Sequence, residues 1–118
     1  MINQTNTRTI EPDITIFAIT GRLSLGNTLL SIESAIRRLI EEGARKLIID
    51  IAQLTYIDSA AIGMLIASNG LVEQWGGQLR IAGAQGLVAK SFALVHLDRI
   101  IALEPDADAA TRSFAASA

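Results

Sequence analysis

The sequence contains no cysteine. That excludes disulfides, thiolate-bound metals and cysteine nucleophiles together, and it permits a reducing compartment. A single histidine is too little for a histidine-built zinc site, and Asp13, Asp50 and Asp58 fall at no recognisable metal-ligand spacing. No metal and no cofactor is therefore expected. Ten Lys and Arg against twelve Asp and Glu give a formal net charge of −2, and the basic residues are scattered apart from Arg37-Arg38 and Arg45-Lys46. Without a clustered positive surface there is no footprint for nucleic acid or for an anionic membrane. No apolar run approaches the ~20 residues of a membrane span, and Met1 to Arg8 lacks the apolar centre of a signal peptide. These absences point to a cytoplasmic protein that neither binds nucleic acid directly nor inserts into a membrane.

What is present is one hydrophobic domain. Half of the 118 residues are hydrophobic and 19% are charged, enough for a genuine core and too short a chain for a second one, so residues 1–118 are read as a single domain. Thr5 to Ile10 and Ile14 to Thr20 are rich in β-branched residues and flank the turn signal Glu11-Pro12-Asp13, which predicts an antiparallel hairpin. After Gly21-Arg22-Leu23-Ser24, apolar residues at Leu29, Ile32, Ile36, Leu39 and Ile40 recur at helical spacing, with Gly43 as the terminator. Lys46 to Ile51 is a continuous apolar run of strand length, the pattern of a strand buried by its neighbours. A second helix is expected from after Asp58 to about Trp75, a strand at Gln78–Ala82 and a third helix at Leu87–Leu97. A short strand at Ile100–Leu103 and a last helix from Asp106 to about Ala116, with Pro105 in its first turn, complete the chain. The order is β-β-α-β-α-β-α-β-α, an α/β domain whose later strands run parallel through right-handed crossovers.

The second helix stands apart because Ser59 to Val72 carries no charge at all. At ~100° per residue, Ile62, Leu65, Ile66, Asn69 and Val72 form one stripe, read as core, while Ala60, Met64, Ala67 and Leu71 form another. If only the first is buried, the second is an exposed, low-relief docking surface for a partner, with Met64 as an adaptable contact. If both are buried, the helix is simply internal; periodicity does not decide. Asn69 has no evident partner within its stripe. Gly63 and Gly70 lie on the Ser59 side of the helix, where each costs about 1 kcal/mol relative to alanine. That cost implies close approach, by a partner's backbone or by another element of this chain.

Asp58 and Ser59 have two readings. Asp58 is a preferred N-cap, which makes Ser59 an ordinary first-turn residue. Alternatively the Ser59 hydroxyl, beside an uncharged surface, is a phosphorylation site. A phosphate adds nearly two negative charges, which a helix N-terminus tolerates but an adjacent Asp58 and an apolar interface do not. Phosphorylation would then oppose docking.

The run Leu54-Thr55-Tyr56-Ile57-Asp58-Ser59-Ala60-Ala61-Ile62-Gly63 resembles the signature of STAS domains in the anti-sigma factor antagonist family. Gly21-Arg22-Leu23, Leu47 to Ile51 and Gly76-Gly77-Gln78-Leu79 fall in the order that family shows, so the resemblance spans nearly the whole chain. It implies a mixed sheet of about five strands with about four helices packed mainly on one face. It also implies a non-enzymatic partner-switching cycle. The unphosphorylated antagonist binds an anti-sigma factor that is a serine kinase and so frees the sigma factor; the kinase phosphorylates the serine, and a phosphatase resets it. Carried onto this sequence, Ser59 is the phosphoacceptor, Asp58 its neighbour at the helix entrance, and Ala60, Gly63, Met64, Ala67 and Leu71 the partner-binding residues. One departure is local: Ala60-Ala61 stand where the family often has a second hydroxyl residue and glycine, which stiffens the entrance.

Other readings are a constitutive STAS interaction module of a stressosome-like or transporter-associated complex, and a nucleotide or small-molecule binder. Gly83-Ala84-Gln85-Gly86 is too short and lacks the Lys-Ser/Thr of a phosphate-binding loop, so turns are expected there. His96, beside Asp98 and Arg99, reads as a capping or surface residue, Trp75 as a cover for the core edge, and Arg22 as half of a surface ion pair.

Overall fold

The computed structural model describes residues 4–116; the expected domain over 1–118 extends past them at both ends. Strands β1 (Thr5–Ile10) and β2 (Ile14–Ile19) form the expected antiparallel hairpin, with a cis Glu11–Pro12 bond in its turn. β2 then runs parallel to β4 (Lys46–Asp50), β4 to β6 (Gln78–Ala82) and β6 to β7 (Ala102–Glu104), giving the mixed five-stranded order β1-β2-β4-β6-β7.

The sheet has a core on each face. Leu47 and Ile49 of β4 enter the larger one together with Phe17 and Ile19 of β2, while Ile48 joins Ile14 and Ile16 in the smaller. Leu47, Ile48 and Ile49 are each fully buried, which is why this strand reads as an unbroken apolar run. Helices α1 (Asn27–Glu41), α2 (Ser59–Gln74) and α3 (Gly86–Leu94) supply the larger core, and α1 buries Leu29, Ile32, Ile36 and Ile40 along one stripe. Each such side chain contributes about 1.5–3 kcal/mol on burial. α4 (Ala107–Ala116) alone covers the other face, through Ala110 and Phe114. Arg80 of β6 anchors it: the guanidinium lies 4.3 Å from the Phe114 ring centre, donates to Ser113 Oγ and pairs with Glu104 at 3.3 Å.

Several boundaries differ from the sequence reading. α3 stops at Leu94 because His96 adopts a left-handed conformation, φ 54°, and a short 3-10 turn, Leu97–Arg99, follows. The N–H groups of Ile100 and Ile101 both donate to Leu97 O within that turn, so β7 begins only at Ala102. Pro105 lies outside α4 rather than in its first turn, since Asp106 caps the helix by accepting from Ala109 N at 2.7 Å. Most consequentially, Gly21–Leu23 is a strand, β3, pairing in parallel with β5, Leu54–Ile57, as a separate two-stranded sheet.

Candidate functional site

The β3–β5 pair builds the entrance to α2. Thr55 Oγ1 donates to Gly21 O at 3.1 Å, and Asp58 N donates to Leu23 O at 3.2 Å, so the chain leaving β5 is fixed against β3 up to the residue before the helix. Asp58 is then the N-cap, as expected: its Oδ1 accepts from Ala61 N at 2.9 Å. Its second oxygen does something the sequence did not announce. Asp58 Oδ2 accepts from Leu25 N at 2.9 Å, tying the β3–α1 loop to the helix entrance and holding Leu25, 77% exposed, beside it. That contact joins residues 33 apart in sequence, and no local pattern signals it. Next along, Ser59 is exposed, and its hydroxyl makes no hydrogen bond to any described residue.

Around α2 the burial is sharply divided. Ala61, Ile62, Met64, Leu65, Ser68, Asn69 and Val72 are buried, a continuous arc of roughly 160° at ~100° per residue. Two neighbours produce so wide an arc: α2 packs on β6 and also on α1. The remaining arc carries Ser59, Ala60, Gly63, Ile66, Ala67, Gly70 and Leu71, none of them charged, and ends in the exposed Glu73 and Gln74; Ser59, Gly63 and Ala67 are exposed, and Ala60, Ile66, Gly70 and Leu71 half-buried.

This corrects the two stripes in detail. Met64, expected on the docking surface, is 4% exposed and belongs to the core, because α1 closes the side on which it projects. Ile66, expected in the core, lies at its rim and is partly open. Ala60, Gly63, Ala67 and Leu71 do share the outer face, although Ala60 and Leu71 also touch the core. Asn69 finds its partner one turn on, donating from Nδ2 to Glu73 Oε1 at 3.4 Å. Ser68 Oγ donates back to Met64 O at 2.9 Å.

The glycines settle one open question. A Cβ built on Gly63 or Gly70 would meet nothing within 4 Å. No described element of this chain approaches them. The face continues sideways into an open groove of about 260 Å³ between α1 and α2, lined by Glu33, Arg37, Ala67, Gly70, Leu71 and Gln74.

The other singled-out residues have structural partners. Arg22 stacks 4.1 Å from the Tyr56 ring centre instead of forming an ion pair. Trp75 caps the end of α2, 48% exposed, under the Arg45 guanidinium at 5.0 Å. Asp13 pairs with Lys46 at 3.1 Å, and Asp50 Oδ1 accepts from Ala52 N at 3.1 Å. Among the described residues no cluster of three or more His, Asp or Glu side chains could hold a metal ion, and no helix is long and apolar enough to cross a membrane. His96, Asp98 and Glu104 border an open cleft of about 530 Å³ between α3 and the β7–α4 connection.

Such a fold, a mixed sheet with three helices on one face and α4 on the other, is that of an α/β protein. The STAS domain family model matches residues 6–110, and the chain belongs to that family. Among solved structures, an anti-sigma factor antagonist from Mycobacterium paratuberculosis superposes with a TM-score of 0.83 at 17% identity, over 95% of this chain and 93% of that one. The Bacillus cell fate determinant SpoIIAA in its phosphorylated form gives 0.71 at 17% identity, over 93% and 99%. A sulfate transporter family protein from Wolinella succinogenes gives 0.69 at 12% identity, over 87% and 85%. At these identities the likeness is one of fold.

Proposed function

We propose that this protein is an anti-sigma factor antagonist, a partner switch in the cytoplasm that binds an anti-sigma factor serine kinase when unphosphorylated and is released by phosphorylation of Ser59. The observation that carries the reading is the exposed Ser59 hydroxyl, unbonded among the described residues, at one end of an uncharged face that runs along α2 as far as Leu71. A partner docked along Ala60, Gly63, Ala67 and Leu71 would cover Ser59 as well. A phosphate there would set nearly two negative charges inside an interface with no basic residue on α2 to receive them, beside the Asp58 carboxylate. The helix N-terminus would partly offset that charge within the folded monomer, so the cost falls on the complex and not on the fold. In this cycle the protein is substrate and ligand; the phosphoryl chemistry belongs to the kinase, and a phosphatase restores the docking form. The test is intact-mass measurement after incubation with the cognate anti-sigma factor kinase and ATP. One added phosphate on the wild type and none on Ser59→Ala is expected; a phosphate persisting on the alanine variant removes Ser59 as the acceptor.

The likeness to a sulfate transporter family STAS domain favours a second reading, a constitutive interaction module in a transporter-associated or stressosome-like assembly. There the α2 face would dock irrespective of Ser59, and Ser59→Asp would leave affinity unchanged.

A further inference from the structure

The outer edge of β1 lies away from the α2 face, and its geometry is unusually permissive. β1 is the terminal strand of the five-stranded sheet, Thr5 to Thr9 are all exposed, and the pairing with β2 runs from Thr5↔Ile19 to Ile10↔Ile14 without a bulge. Edge strands are normally blunted by proline, inward charges, bulges or extreme shortness. The opposite edge, β7, has only three residues; β1 has six, with no proline and the single charge of Arg8.

The hydrogen-bond parity of this edge follows from one contact. Thr20 N donates to Gln4 O at 2.9 Å, which makes Gln4 and Thr20 a bonded antiparallel pair. Bonded pairs recur every second residue, so the main chain of Asn6, Arg8 and Ile10 faces β2. The N–H and C=O groups of Thr5, Thr7 and Thr9 therefore point outward, and their side chains share one face of the sheet.

From this edge we infer that β1 pairs with β1 of a second copy of this chain, antiparallel about a twofold axis through Thr7. An axis through Arg8 would leave only two bonded pairs within β1, Thr7 with the second copy's Thr9 and the reverse, and would set arginine against arginine. With Thr7 on the axis, Thr5 faces the second copy's Thr9, Thr7 faces Thr7, and Thr9 faces Thr5. Each facing pair exchanges N–H···O bonds in both directions. Cross-strand Thr–Thr pairs are favourable neighbours, and Arg8 comes opposite the second copy's Asn6, not another charge. The interface is isologous and closed, so pairing stops at two copies. It uses no residue of α2, and the dimer presents two docking faces.

The absence of cysteine makes the register directly testable. In a bonded antiparallel pair the facing Cα atoms are ~5.5 Å apart, within the ~4.4–6.8 Å that a disulfide spans, whereas two Thr9 residues would be roughly 13 Å apart along the strands. Mild oxidation of Thr7→Cys is expected to give a covalent dimer in high yield and Thr9→Cys little. Equal yields from the two, or none from Thr7→Cys, overturn the register. Sedimentation should show wild type forming dimer as concentration rises toward about 1 mM, the weak regime expected of so small an interface. Thr7→Pro removes an outward N–H without touching the β1–β2 ladder and should be monomeric with an unchanged melting temperature. Thr7→Lys, which places two ammonium groups on the axis, should also be monomeric, and it covers the case in which proline disturbs the strand. A monomeric wild type at 1 mM, or a Thr7→Lys variant that dimerises as well as wild type, refutes the proposal.

Discussion

Replacing Gly63 and Gly70 together by alanine should make this protein more stable and a poorer ligand. Both glycines lie within α2, and a Cβ at either would meet nothing within 4 Å. The only intramolecular effect left is the intrinsic preference of a helix for alanine, about 0.8–1.0 kcal/mol per site. For 118 residues the unfolding entropy near the midpoint is about 0.25 kcal/mol/K, so each substitution should raise the melting temperature by about 4 °C and the pair by about 8 °C. Binding should move the other way. Two methyl groups added to a smooth surface that a partner contacts closely cost about 1–3 kcal/mol through overpacking, a roughly five- to 150-fold loss of affinity. Differential scanning calorimetry of the free protein and titration calorimetry against the anti-sigma factor kinase read the two effects separately. A fall in melting temperature would mean that the helix has a neighbour which the burial pattern misses. A rise with unchanged affinity would remove this face from the interface.

Met64→Ala should destabilise by about 2–4 kcal/mol, as for a buried methionine, and chemical denaturation would show it; a near-neutral result would return Met64 to the surface. Asp58→Ala loses both the cap to Ala61 and the tie to Leu25, and should lower stability by about 1–3 kcal/mol; Asp58→Asn, which keeps one accepting oxygen, should fall between in the same denaturation series. Gly77→Ala should be strongly destabilising, because a Cβ there would lie 2.5 Å from the Arg45 carbonyl oxygen and 2.9 Å from a Val72 methyl; a melting temperature within a degree of wild type would contradict that packing.

The contrast between Met64 and Gly63 shows where sequence reasoning stopped. The hairpin, the buried β4 run and the amphipathic stripe of α1 were legible because each is a one-dimensional pattern that burial enforces residue by residue. α2 was not, because its two sides barely differ in hydropathy. Which apolar stripe is covered depends on where α1 lies, and that is a tertiary fact. The same holds for β3 and β5: Gly21–Leu23 is too short to announce a strand, and it becomes one only by pairing with Leu54–Ile57. The Asp58 cap was local and readable, whereas its bond to Leu25 crosses the chain. His96 ends α3 in a conformation that costs a non-glycine residue energy, and nothing in Leu87 to Leu97 marks the break.

The most direct test of the switch is titration calorimetry of the anti-sigma factor kinase with the unphosphorylated protein and with the Ser59-phosphorylated form. Phosphate on Ser59 is expected to weaken binding by about tenfold or more, while the melting temperature of the free protein barely changes. Equal affinities for the two forms would contradict it.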